Sequence, residues 1–142
     1  YTSEAYGQWR DVIEAQPDLM YPEILERFRM GAQFSAPDYV SACKELADLR
    51  RRWVARVAGY DAVLLPTSPI LPPDLARLQS DHDYYVEENL LALRNTRIGN
   101  LMNVSAVTLP TGVPSCGISF LGLPFGEERI LRVAAAAEMA LS

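Results

Sequence analysis

The chain has 142 residues, of which 49% are hydrophobic and 22% charged, and 13 Lys+Arg against 18 Asp+Glu give a net charge of −5. That much apolar content at modest net charge excludes intrinsic disorder and is enough for one globular domain. The acidic balance argues against nucleic-acid or anionic-membrane partners, which demand cationic surface, and no apolar run approaches the ~20 residues that span a bilayer.

The start, Tyr1-Thr2-Ser3-Glu4, has no basic region, no apolar leader and no initiator Met. It reads as a piece of a longer chain. Three stretches are expected: a helical one over 1–59, strands and loops with one helix over 60–125, and a terminal helix over 126–142.

In the first stretch Tyr6, Trp9, Val12 and Ile13 recur at three- and four-residue spacing, predicting a helix that ends near Pro17. Ile24, Leu25 and Phe28 predict a second helix after Pro22, a residue tolerated in a first turn. Ser35 and Asp38 have capping-box spacing and open a third helix. Its apolar face is expected to carry Val40, Cys43, Ala47, Trp53, Val54 and Val57, with Gly59 as a positive-φ stop. The cluster Arg50-Arg51-Arg52 falls near its C-terminal end, as a solvated face that complements the helix dipole.

Three continuous apolar runs, 62–65, 106–109 and 118–121, are bounded by Pro or Gly and predict strands buried on both faces. Between the first two lie a proline-rich loop, 66–73, and an amphipathic helix over about 84–97. The Ala-rich segment 127–141 predicts a last helix with Ile130, Leu131, Ala134, Ala137 and Leu141 turned inward. The fold class expected is α/β, a mixed β-sheet flanked by helices. So few strands leave open edges, which invite self-association.

The residues by themselves offer no complete catalytic constellation. Cys43 and Cys116 stand 73 positions apart with no second Cys or His nearby, so a metal site is not expected; they read as two buried thiols in a reducing, cytoplasmic setting. His82 has acids on both sides but no nucleophile elbow, and reads as a solvated loop histidine. Lys44, the single lysine, falls off the apolar face. The glycines are scattered, with no phosphate-cradling fingerprint, so no cofactor is expected.

Four segments in order carry a resemblance. Tyr60 to Pro69 resembles the "DALLLPTTP" segment of the amidase signature family, and Asn95-Thr96-Arg97-Ile98-Gly99-Asn100 is similar to its "NTxPFN" motif. Gly117 to Phe125, continuing through Glu127, Glu128 and Leu131 to Ala134, resembles the family's C-terminal strand and helix. Arg27 to Gly31 and Ser35 to Tyr39 resemble its "RxxxG…SxxDY" helix pair. The likeness runs over about residues 20–140.

The resemblance implies an incomplete part of an α/β/α amidase fold. It also implies amide hydrolysis by a serine activated through a second serine and a lysine, with backbone amides holding the oxyanion. Those parts lie upstream of the matched region in the family, and this chain has no Gly-Gly-Ser-Ser-Gly stretch, so no catalytic residue is assigned. The substrate-pocket wall is assigned by resemblance to Arg27, which would pair with a substrate carboxylate, and to Leu93, Thr96 and Arg97 beside the scissile amide. Ile98 stands where proline is usual, Ser115-Cys116 replace Pro-Val, and Leu123 replaces an arginine. An acid expected near Leu93 is apolar here, which weakens a glutamine-using assignment.

Three readings follow, in this order. The first is a C-terminal portion of a cytoplasmic amidase acting on a small-molecule amide, inactive alone. The second is a non-catalytic module pairing through an exposed sheet edge. The third is part of a glutamyl-tRNA amidotransferase A-type subunit.

Overall fold

The computed structural model describes residues 1–141, which divide into two compact units, Tyr1–Ala47 and the chain from Asp48 onward.

In the first unit, helix α1 (Thr2–Ala15) faces helix α2 (Pro22–Arg29) and the 3₁₀ turn Met30–Gln33. Its expected apolar stripe is only partly buried. Ile13 is 7% exposed, but Trp9 is 50% and Val12 65% exposed. At about 100° per residue, Tyr6 and Ile13 nearly coincide on the helix surface, whereas Val12 lies a quarter-turn or more away. The contact strip is narrow because its partners are short.

Gly31 makes that contact close: a Cβ there would sit 2.6 Å from the Thr2 carbonyl carbon and 2.9 Å from Tyr6 Cβ. Glu14 Oε1 and Oε2 accept from Arg29 Nε and Nη2 at 2.9 and 2.6 Å, and Tyr6 Oη donates to Oε1 at 3.1 Å.

Helix α3 (Ala36–Val57) opens with the expected capping box. The Asp38 amide donates to Ser35 Oγ at 3.3 Å, and Asp38 Oδ2 accepts from the Ser35 amide at 3.3 Å and hydroxyl at 2.6 Å. Cys43 departs from expectation and is exposed, as is Val40 at 50%. The Tyr39 phenol donates to Glu4 at 3.1 Å, and its pKa is pushed up to about 12 by the Cys43 thiol and then Glu4.

In the second unit α3 ends where the Tyr60 amide donates to the Val57 carbonyl at 3.0 Å. Gly59 does not take the positive φ expected of it; Gly112 is the glycine that does. Trp53 is half-buried and Val57 buried, while Val54 is 39% exposed.

Strands β1 (Val63–Pro66), β2 (Ala106–Pro110) and β3 (Gly117–Leu121) form one sheet in the order β1-β3-β2. The fold class is the expected α/β sheet flanked by helices, and both ladders are antiparallel, so the described pairs contain no parallel component. Burial on both faces holds for β3, whose last three residues are buried, but not for the edges: Leu64 of β1 is 53% exposed. A central strand has neighbours over its full length; an edge strand does not.

Helix α7 (Glu127–Leu141) packs on β2 and β3. Leu109, Phe120, Ile130 and Ala134 form the core, with Val133 and Ala137 against it. Ile130, Ala134 and Ala137 follow i, i+4, i+7 spacing along one face. Leu131 (58% exposed) and Leu141 (45%) turn away, against expectation.

The single helix expected near 84–97 is two, α5 (His82–Ala92) and α6 (Arg94–Met102), preceded by the short α4 (Leu75–Ser80). Among the described residues no helix is long and apolar enough to cross a membrane.

Candidate functional site

The three strands have two chemically different faces. Leu109 and Phe120 share the core with Ile130 and Ala134 of α7, and Val107 and Ile118 pack against that cluster. The opposite face carries hydroxyls. Ser119, on the central strand, pairs in register with Thr108 on β2 and Leu65 on β1. Thr67, two residues past Leu65, shares its face because strand side chains alternate. Thr67 Oγ1 lies 2.8 Å and Thr108 Oγ1 2.9 Å from Ser119 Oγ, giving a hydroxyl ladder across the sheet. Ser119 is 8% exposed. Gly117 leaves room for the ladder, since a Cβ there would come within 3.0 Å of Thr67 Oγ1 and 3.3 Å of Thr108 Cγ2.

Helix α6 covers this face and encloses with it a cleft of about 180 Å³. Asn95 Nδ2 donates to the Pro66 carbonyl at 2.7 Å, tying the start of α6 to the end of β1. At the other end Asn103 takes a left-handed φ of 55°, and the Val104 amide returns to the Gly99 carbonyl at 3.2 Å. Asparagine suits that position because its short polar side chain tolerates positive φ. Arg50 Nε donates to the Leu101 carbonyl at 2.7 Å, satisfying a last-turn acceptor. Arg50 is therefore not part of a solvated face, although Arg51 and Arg52 are, both pairing with Asp48.

Of the four residues assigned to the pocket wall, Thr96 lines this cleft, its Oγ1 donating to the Leu93 carbonyl at 3.3 Å. Leu93 is 45% exposed at the α5–α6 joint, and Arg97 is half-buried on α6; neither lines the cleft. Arg27 is half-buried on α2 in the other unit.

His82 is exposed in the first turn of α5 rather than in a loop. Its neighbour Asp81 caps that helix, accepting from the Tyr84 amide at 3.0 Å and from Arg77 at 3.1 Å, and these contacts hold its carboxyl below the usual range. Lys44 is exposed.

Sequence reasoning missed Thr67, Thr108 and Ser119. The available signal was one hydroxyl residue in or beside each apolar run. Reading each run as uniformly apolar hid the two-residue period that puts all three on one face.

A second, more apolar cavity of about 160 Å³ lies beside β1 and α7, lined in part by Val57, Ala62, Leu123 and Ile130. Arg129 Nη2 and Asp61 Oδ1 pair at 2.7 Å at this cavity.

No family model matches the chain. It is 31% identical over 141 residues to the A subunit of the glutamyl-tRNA(Gln) amidotransferase of Halobacterium salinarum, across 93% of this chain and 32% of that protein. It is 31% identical over 126 residues to the 2-amino-5-chloromuconic acid deaminase of Comamonas testosteroni, across 80% of this chain and 25% of that protein. The fold matches a crystal structure of an amidase with a TM-score of 0.77 at 21% identity, covering 99% of this chain and 33% of that one. The chain thus spans about a third or less of the length of the curated relatives it matches, and those relatives are amidase-signature proteins.

Proposed function

We propose that the chain is the C-terminal portion of a cytoplasmic amidase-signature enzyme that hydrolyses the carbon–nitrogen bond of a small-molecule amide. In this reading residues 1–59 supply helices, 60–125 the strands and part of the pocket wall, and 126–142 a closing helix. The serine pair and lysine belong to the remainder of the parent. Thr96, which lines the cleft, is read as bordering the substrate, whereas Leu93, Arg97 and Arg27 keep their pocket roles by resemblance alone.

The observation that carries the reading is a likeness at 31% identity that spans 93% of this chain but only a third of the relative. The amidase fold match over 99% of the chain agrees with it. Two free cysteines suit a reducing compartment.

The test is ammonia release from a panel of neutral and charged amides. The full-length parent is expected to release ammonia from at least one of them, and the 142-residue chain from none. Release by the isolated chain, or a parent inert toward every amide, overturns the reading.

A second reading, part of an amidotransferase A-type subunit, is favoured by the Halobacterium relative. Glutamine-dependent ammonia transfer by the parent together with partner chains would select it.

A further inference from the structure

Beside the second, more apolar cavity stands an aromatic ring that the chain leaves uncovered. Phe125 is 91% exposed, and no other large apolar side chain among the described residues is exposed as far. Its backbone is also held at a φ of 57°. Leu123-Pro124-Phe125-Gly126 is a tight turn, closed by the Gly126 amide on the Leu123 carbonyl at 3.1 Å. A turn with positive φ at its third position ordinarily takes Gly or Asn there, because left-handed backbone is unfavourable for a bulky side chain. Phe125 thus carries two costs, strain and apolar exposure, and the fold gives its ring no buried contact in return. Strain kept without local benefit directs attention to what the residue meets outside the chain.

The cavity supplies the complement. It is partly open, measures about 160 Å³, and has an apolar wall that includes Val63, Leu121, Leu123 and Ile130. An apolar space of about 150 Å³ holds a benzene ring. Pro124 and Gly126, the chain neighbours of Phe125, line the cavity, whereas Phe125 itself does not. Projection and recess therefore lie side by side on one patch of the second unit. We propose that this patch is a homodimer interface, in which the Phe125 ring of each copy enters the cavity of the other.

A second copy is the occupant that the arrangement fits. Where one patch carries both a projecting group and a matching recess, a two-fold axis between them fills both recesses in a single contact, and the assembly closes at two chains. A different partner would have to bring its own recess and its own projection at the same spacing. Like can face like here despite the net charge of −5. Arg129 and Asp61 neutralise each other at the cavity, 2.7 Å apart, and Glu128 pairs with Arg132 at 2.8 Å. Arg129 also offers its guanidinium to the incoming ring. Two rings bury about 300–500 Å² and the walls they cover a similar area, which reaches only the lower end of specific interfaces. A weak dimer, dissociating in the micromolar range, is expected. The inference goes beyond the amidase reading and depends on neither the bond cleaved nor the pocket wall.

The experiment uses the full-length parent. Analytical ultracentrifugation across a micromolar concentration series is expected to show a monomer–dimer equilibrium, which Phe125→Gly weakens at least tenfold. Glycine takes a positive φ freely, so this variant is expected to melt at least as high as the wild type at concentrations where both are monomeric. Phe125→Asp would carry a charge into the apolar recess and is expected to abolish the dimer. Hydrogen exchange locates the contact: the amides of residues 60–63 and 121–126 are expected to slow as the wild-type concentration rises, and not to slow in Phe125→Gly.

A parent that stays monomeric throughout the series overturns the inference. So does a dimer that Phe125→Gly leaves intact, or one whose concentration-dependent protection lies elsewhere. Slow exchange of these segments already in the monomer, or a monomeric Phe125→Gly that melts below the wild type, would mean that the parent's own chain covers the ring, and overturns it equally.

Discussion

Asn95 reaches from the first turn of α6 to the carbonyl of Pro66, 2.7 Å away, at the end of β1. This bond joins a helix and an edge strand that are separated by 29 positions in sequence, and it sets the width of the cleft at one end. Asn95→Ala removes a hydrogen bond of ordinary strength and is expected to cost about 1 kcal/mol in urea unfolding. It is also expected to move the Thr67 and Thr96 amide resonances. An unchanged spectrum would mean that the bond does not hold α6 in place.

The inner face of α7 makes a paired test. Ile130, 2% exposed, packs in the core; Leu131, its neighbour, is 58% exposed. Ile130→Ala is expected to cost about 2–5 kcal/mol, and Leu131→Ala less than about 1 kcal/mol. Equal losses would contradict the helix orientation.

Gly31 is fixed by proximity to Thr2 and Tyr6 rather than by a positive φ. Adding one methyl by Gly31→Ala drives it into backbone that cannot rotate away. Overpacking of this kind typically costs about 1–3 kcal/mol, here expected as a lowered melting midpoint of the first unit. Gly7, where an added Cβ meets nothing within 4 Å, provides the control: Gly7→Ala is expected to be neutral or stabilising.

Glu14 links pH to the stability of the same unit. Its hydrogen bonds from Arg29, and then Tyr6, hold its carboxyl below the usual 4.5. A carboxylate whose folded pKa is depressed contributes its stability fully above the unfolded value, and loses it as pH falls through the lower folded value. Stability is therefore expected to drop as pH falls from about 5 toward 3. Glu14→Gln should flatten that part of the profile as followed by thermal melts at several pH values; an identical acid slope in the variant would show that other carboxylates are responsible.

Among the described residues, β1 and β2 each pair on one side only. Unpaired edges favour association. The isolated chain is accordingly expected to form dimers or larger species in light scattering, and a monodisperse monomer would count against edge pairing.

Local patterns were legible because their causes are local. The Ser35–Asp38 capping box is formed within four residues, and its hydrogen bonds are those the spacing implied. The three strands fall on the three apolar runs, because branched residues bounded by Pro or Gly leave the backbone few alternatives. The break at Leu93 was not legible: its backbone remains right-handed helical, and no Pro or Gly marks the site. Nor was the turning away of Trp9, Val12 and Leu131, since periodicity shows that a helix has an apolar side but not how wide a partner it meets.

Sequence alone determined the α/β class and the apolar character of the segments that build it. Tertiary structure decided which residues of those segments share a face. Antiparallel register aligns Ser119 with Thr108, and the alternation of β1 brings Thr67 to the same side, although Thr67 and Thr108 lie 52 and 11 positions from Ser119. A hydroxyl in an apolar run has no chemical meaning until pairing sets its neighbours, and pairing is fixed by long-range packing that no short window of sequence contains.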